Sequence, residues 1–199
     1  MSRNGPIKII AISGSVRPGN YTGKALALVI DEFAKFEDAS LTVVDPTEID
    51  LVPPGTGPGS GSTQHLRETV SGATGVILAT PEYHGSFSSI MKLVIENLGF
   101  PSVLSGKPIV LLGVAAGEIG AIKSLEHLRS VCSHIGGVVL PQLVSVPKVQ
   151  AVFDEQGRCL DSRVEQRVRS VATYLMEYIH GAICPRVTLE EMLRKSTVA

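Results

Sequence analysis

Short apolar runs alternate with amphipathic stretches along most of the chain. The runs are Ile7–Ile12, Leu41–Val44, Gly75–Thr80, Ile109–Val114 and Val138–Val146. Between them, apolar residues recur at three- and four-residue spacing. One such face is Leu26, Val29, Ile30 and Phe33; a second is Ile90, Leu93, Val94 and Leu98; a third is Leu125, Leu128 and Cys132. Strands that are apolar almost throughout are buried on both sides, so the pattern predicts a parallel sheet between two layers of helices. The β-then-α alternation matches a doubly wound fold with five strands. No repeat of fixed period appears, and periodicity alone does not set the strand order.

Two segments interrupt the rhythm. Pro53 to Ser62, PPGTGPGSGS, offers neither helix nor ladder continuity and reads as a mobile surface loop. The α/β alternation resumes after it with a helix from Gln64 to Ala73, so the loop lies inside one domain. A last helix is expected from about Ser162 to His180. The tail, residues 181–199, is expected to form an extension with a short helix from Leu189 to Lys195, with Thr188 as N-cap and Glu191 three residues on.

With 199 residues, 44% of them hydrophobic, the chain can bury one sizeable core. Its net charge of −1 supplies no long-range field for nucleic acid or an anionic membrane, which makes both poor partners. Cys132, Cys159 and Cys184 are odd in number and widely spaced, which fits free thiols in a reducing compartment. The N-terminus has only a short apolar run, Ile9 to Ile12, and no stretch approaches the length of a membrane span. The expected location is the cytoplasm.

The chemistry concentrates where strands run into helices. After the first strand comes Ser13-Gly14-Ser15-Val16-Arg17-Pro18-Gly19-Asn20-Tyr21-Thr22. Backbone N–H groups at such a helix start point at whatever lies above it, and the helix dipole favours an anion there. Ser13, Ser15, Asn20 and Thr22 add side-chain donors, and Arg17 adds a charged fork for a phosphate. Gly14 and Gly19 have Walker A spacing, but Asn20 and Tyr21 stand where that motif needs Lys and Ser/Thr, so a triphosphate loop is excluded. The dinucleotide pattern G-x-G-x-x-G is absent from this turn. A hydroxyl-rich loop for one terminal phosphate remains; a plain capped helix start is the other reading of the same residues.

The third strand leads into Pro81-Glu82-Tyr83-His84-Gly85-Ser86, and the fourth into Ala115-Ala116-Gly117. In a doubly wound sheet, ligands sit outside the carboxyl ends of the strands where the strand order reverses. The three loops together suit a phosphate at one side and a planar ring at the other. On GSVR at Gly14–Arg17 and PEYHGS at Pro81–Ser86, the chain resembles the NAD(P)H-dependent FMN reductase family over residues 7 to 180. That family includes chromate, quinone and azo reductases. It carries G-S-x-R in the first loop and P-E-Y-N-x-S after the third strand.

The resemblance implies a flavodoxin-like three-layer sandwich, strand order 2-1-3-4-5, spanning residues 1–180. It also implies bound FMN, with NAD(P)H as electron donor. Ser15, Arg17, Asn20 and Thr22 would take the phosphate, with Ser13 and Tyr21 in the same loop. Pro81, Glu82, Tyr83, His84 and Gly85 would lie along the ring, and Ala115, Ala116 and Gly117 at its far edge. His84 stands where the family has Asn, and an imidazole becomes cationic below about pH 6.5. Hydride would pass from NAD(P)H to the flavin and then to a flavin, quinone, azo, nitroaromatic or metal-anion acceptor by a ping-pong scheme. The protein would assemble as a homodimer or homotetramer. No side chain is assigned as nucleophile or base, because the cofactor carries the hydride.

Other constellations reduce to packing and surface. His127 and His134 lie seven apart on the helix that carries Cys132, a spacing poor for a metal. Ser89 and Lys92 form an unaccompanied S-x-x-K, and no G-x-S-x-G elbow exists. Arg163, Glu165, Arg167 and Arg169 read as a solvated helix face. Two rival functions share the fold, a flavodoxin-type electron carrier and a flavin-free binding protein. The carrier type is generally acidic so as to dock on basic partners, which a net charge of −1 does not supply.

Overall fold

The computed structural model describes residues 6–57 and 59–197. The first five residues, and Pro58 within the Pro/Gly-rich segment, lie outside the described residues. The order of elements is β1 (Ile7–Ser13), α1 (Tyr21–Phe33), β2 (Ala39–Val44), α2 (Gly61–Ser71), β3 (Gly75–Tyr83), β4 (Ser86–Phe87), α3 (Ser89–Asn97), β5 (Pro108–Val114), α4 (Ile122–His134), β6 (Val138–Val146), α5 (Val149–Val152), α6 (Ser162–Tyr178) and α7 (Cys184–Thr197).

Five parallel strands lie in the order β2-β1-β3-β5-β6. In chain order of the long strands this is the expected 2-1-3-4-5. The addition is β4, two residues pairing antiparallel with the end of β3. From β1 the chain steps outward to β2, then returns past β1 to β3, so the winding reverses between β1 and β3. That reversal opens a crevice at their carboxyl ends.

The alternation of each strand divides the core in two. Ile9, Ala11, Ile77, Ala79, Val110 and Leu112 face α1 and α6. Ile10, Ile12, Val76, Leu78, Ile109 and Leu111 face α2, α3 and α4. Burying a Leu or Ile of this kind contributes roughly 1.5–3 kcal/mol, so the central strands dominate the stability. At the edge, β6 shifts register opposite Ile109 and Leu111. Pro141, which has no N–H to give a ladder, falls in the shifted stretch, and Arg129 donates to the carbonyls of Leu140 and Pro141 at 3.1 and 2.9 Å.

Four sequence expectations need correction. The buried face of α3 is Met91, Val94, Ile95 and Leu98, not the Ile90–Leu93 side. Ile30 of α1 is exposed. Helix α2 starts at Gly61, inside the segment read as loop, because Ser60 caps it by accepting from the Thr63 N–H. The tail helix begins at Cys184, and Thr188 is no cap; its hydroxyl donates to the Cys184 carbonyl from within the helix. Residues Ile179–Ile183 form a π turn that carries α6 into α7.

The charged face of α6 is also less solvated than expected. Arg169 bridges Asp31 at 2.5 Å, Glu165 at 2.9 Å and Glu32 at 3.5 Å, tying α6 to α1. Its hydrogen bonds to Asp31 and Glu165 push the guanidinium above its ordinary range. All three cysteines are free thiols, and burial pushes that of Cys132 up to about 12.

Candidate functional site

The crevice between β1 and β3 is walled by backbone held in place from several sides. The Gly14 N–H donates to the Ala79 carbonyl at 2.7 Å, carrying the β1–β3 ladder one residue past the strand. The Ser88 hydroxyl donates to the Gly14 carbonyl at 2.6 Å, and its oxygen accepts from the Met91 N–H at 3.0 Å and so caps α3. Ser88 therefore fastens the loop after β1 to the one after β3. A Cβ on residue 14 would stand 2.9 Å from the Ala79 carbonyl oxygen, so only glycine fits there.

At the start of α1 the side chain of Asn20 is already engaged. Its Oδ1 accepts from the Gly23 N–H and its Nδ2 donates to the Arg17 carbonyl, both at 2.7 Å. The Arg17 guanidinium lies over the Tyr83 ring, 5.1 Å from its centroid. Behind them, Thr22 is buried in the first turn of α1 and its hydroxyl has no hydrogen-bond partner. A buried hydroxyl left unmatched is costly, and of the two such hydroxyls among the described residues, those of Thr22 and Ser124, only that of Thr22 lines the crevice.

The second wall is a hairpin. His84 and Gly85 have φ of 51° and 78°, and their flanking residues Tyr83 and Ser86 pair across the turn. Positive φ at both central residues is what a two-residue hairpin of this twist requires, and His tolerates it much as Asn does. Glu82 pins the turn by accepting from the Gly85 N–H at 2.5 Å. The third wall is the loop after β5, where the Val149 N–H donates to the Ala115 carbonyl at 3.0 Å and the Lys148 N–H to the Gly117 carbonyl at 3.1 Å.

These walls enclose a cavity of about 370 Å³, within the range of small-molecule sites. Of the residues singled out from sequence, Ser15, Arg17, Asn20, Tyr21, Thr22, Pro81, Glu82, Tyr83, Ala115 and Ala116 line it. Ser13, His84, Gly85 and Gly117 do not. Ser13 is buried beneath the loop, its hydroxyl donating to the Ser15 carbonyl at 3.3 Å. His84 and Gly85 form the hairpin tip beyond the cavity wall, and Gly117 is turned into the contact with Lys148. Gly19 of the first loop lines it too, and the lining that sequence reasoning missed is Pro18, Val114, Val149 and Gln150. Val149 and Gln150 follow β6, one more strand end opening on the same crevice, and that position was their only signal.

Residues 7–151 match the family described as NADPH-dependent FMN reductase. The chain belongs to that family. It is 31% identical over 170 residues to an NAD(P)H-dependent FMN reductase of Pseudomonas aeruginosa, covering 82% of this chain and 90% of the relative. It is 26% identical over 185 residues to an FMN-dependent NADPH-azoreductase of Staphylococcus aureus, covering 88% and 97%. Among solved structures, the flavoenzyme NAD(P)H:(acceptor) oxidoreductase of Paracoccus denitrificans superposes with a TM-score of 0.70 at 19% identity, covering 88% of this chain and 98% of that one. As an FMN reductase on a flavodoxin-like fold, the protein is an oxidoreductase that uses FMN and takes electrons from NAD(P)H.

The residues present fit that cofactor. The cationic fork of Arg17 and the unmatched Thr22 hydroxyl suit a phosphate, and the apolar lining of Pro81, Val114 and Ala115 suits a ring. Among the described residues no cluster of three or more His, Cys, Asp or Glu is placed to hold a metal. His127 instead shares a hydrogen bond with the Ser86 hydroxyl at 3.3 Å, Cys132 is buried in the core, and Lys92 pairs with Glu96. Nor is any helix among them long and apolar enough to cross a membrane.

Proposed function

We propose that the cavity holds FMN with its phosphate on the turn between β1 and α1 and its ring along Pro81–Tyr83, and that the enzyme reduces flavin, quinone, azo or similar acceptors by ping-pong kinetics. The observation that carries this reading is the partnerless hydroxyl of Thr22, buried at the head of α1 in a cavity that Arg17 also lines. Ser15, Arg17 and Thr22 donate to the phosphate. Asn20 chiefly shapes the loop, since one N–H and the carbonyl of its amide are already used. Bound there, FMN supplies a ring that takes up hydride from NAD(P)H and returns it to an acceptor.

The protein's part is placement. Glu82 and the hairpin turn fix the height of Tyr83, and the tie from Ala115 to Val149 fixes the opposite edge. His84 and Gly85 form the hairpin tip beyond the cavity wall, and their part is to hold the turn that carries Tyr83. One accessible face serves donor and acceptor in turn, so double-reciprocal plots at several acceptor concentrations are expected to be parallel. Intersecting lines would count against the shared face. An open face discriminates weakly, which suits acceptors as different as free FMN, quinones, azo dyes, nitroaromatics and oxidised metal anions.

His84 gives a further expected outcome. It is exposed at the turn, with the Glu82 carboxylate accepting from the next residue's N–H. His84→Asn, which keeps the positive-φ turn, is expected to alter turnover of the FMN-loaded enzyme while leaving its fold intact. Equal turnover in the two proteins would remove His84 from the account. We assign residues 1–180 to the FMN-binding unit and 181–199 to an appended arm. Assembly as a homodimer or homotetramer rests on the family resemblance. The free cysteines support a cytoplasmic setting.

A further inference from the structure

Beyond the cavity wall formed by β5 and β6 stands a pair of opposite charges that the FMN site does not use. Lys148 lies between β6 and Val149, and its Nζ pairs with the Glu118 carboxylate. Glu118 follows Ala115, Ala116 and Gly117, so the pair joins the two loops that close this side of the cavity. Both side chains are open to solvent, 58% and 80% exposed. In the sheet this rim lies over β5 and β6, on the far side of β3 from Arg17 above β1.

The backbone of Lys148 is held in the left-handed region, φ 46° and ψ 42°, where lysine is disfavoured. Its N–H to Gly117 and the next residue's N–H to Ala115 impose that conformation. A glycine or asparagine would sit there with less strain; the lysine found instead places a charge at the cavity rim.

We propose that Lys148 binds the 2′-phosphate of the nicotinamide donor, with Glu118 as the group it leaves to do so, and that this exchange favours NADPH over NADH. The inference rests on the reading of the cavity as the FMN site. With the FMN phosphate at Arg17, the ring points toward the β5 and β6 loops. In this proposal the adenosine half of a nicotinamide stacked on that ring lies out across this rim. An exposed ion pair is weak in water and easily parted. A phosphate dianion offers Lys148 more charge and more acceptor oxygens than one carboxylate, whereas a ribose hydroxyl offers neither. NADPH therefore displaces Glu118, and NADH leaves the pair closed.

Calorimetry on the FMN-loaded protein tests this with 2′,5′-ADP against 5′-AMP, which differ only in the 2′-phosphate. The native protein is expected to bind 2′,5′-ADP about tenfold more tightly. Lys148→Met is expected to abolish that preference, and Lys148→Arg to keep it. Glu118→Gln is expected to widen it, a gain that misfolding could not imitate. In steady-state kinetics, KM for NADPH in Lys148→Met is expected to rise about tenfold more than KM for NADH. Equal affinity of the native protein for the two nucleotides, a preference untouched in Lys148→Met, or one no wider in Glu118→Gln would each overturn the assignment. Failure of the FMN reading is separately visible as bound flavin that neither nicotinamide reduces at saturation.

Discussion

Arg17→Ala is expected to weaken FMN binding by roughly 10- to 100-fold, the loss of one charge-assisted hydrogen-bonding group to a phosphate. The guanidinium is exposed, and the side-chain partner shown for it is the Tyr83 ring. Its removal therefore leaves the scaffold nearly as stable as before, and the melting temperature of the FMN-free protein is expected to move by no more than about 2 °C. Arg17→Lys keeps the charge but not the planar fork, and an intermediate affinity is expected. Fluorescence titration of FMN with the three proteins measures the series. Equal affinities would remove Arg17 from the phosphate site, and a large fall in the FMN-free melting temperature would recast it as structural.

Gly14→Ala is expected to injure fold and site together. The added methyl would lie 2.9 Å from the Ala79 carbonyl oxygen and 3.2 Å from both the Ser88 hydroxyl and the end of Met91. Met91 can rotate aside; a backbone carbonyl in the central strand β3 cannot. The turn after β1 must then lift, which breaks the Gly14 N–H bond to Ala79 and the Ser88 bond to the Gly14 carbonyl. Overpacking and two lost buried hydrogen bonds together cost about 2–4 kcal/mol. Because the same turn faces the cavity with Ser15 and Arg17, FMN affinity is expected to fall in parallel. Urea unfolding and flavin titration of one preparation measure both. Native values in both would mean the turn is looser than its contacts imply.

The contrast between these substitutions shows where sequence carries information. That Ser15, Arg17, Asn20 and Thr22 line the cavity was legible because polar residue types at a strand-to-helix junction mark a strand end where ligands sit. The tight approach of Gly14 to β3 was not, because it depends on which strand lies beside β1. The long strands were legible from their apolar runs, but β4 was not, since two residues carry no period. Helix α3 shows the limit of periodicity. In Ser89–Asn97 apolar residues lie on more than one side, so spacing did not choose the inward face. Asn97 does: it is buried, with Oδ1 accepting from the Val52 N–H at 3.1 Å and Nδ2 donating to the Val52 and Leu93 carbonyls. A satisfied buried amide looks in sequence like a surface residue.

The helical tail was misjudged for a related reason. Thr188 with Glu191 has the form of a capping pair, yet the helix was already running from Cys184, and a threonine hydroxyl inside a helix turns back to the carbonyl four residues earlier. Lys148 was invisible altogether. Neither its left-handed backbone nor its partner Glu118, thirty residues away, leaves a trace in local sequence.

The most direct test is anaerobic titration of the FMN-loaded protein with NADPH, followed by absorbance near 450 nm, the oxidised-flavin band. The account predicts tight, saturable FMN binding by native protein and bleaching of the bound flavin by about one equivalent of NADPH, with colour restored on adding a quinone. Protein that takes up no FMN, or bound FMN that NADPH leaves oxidised, would contradict it.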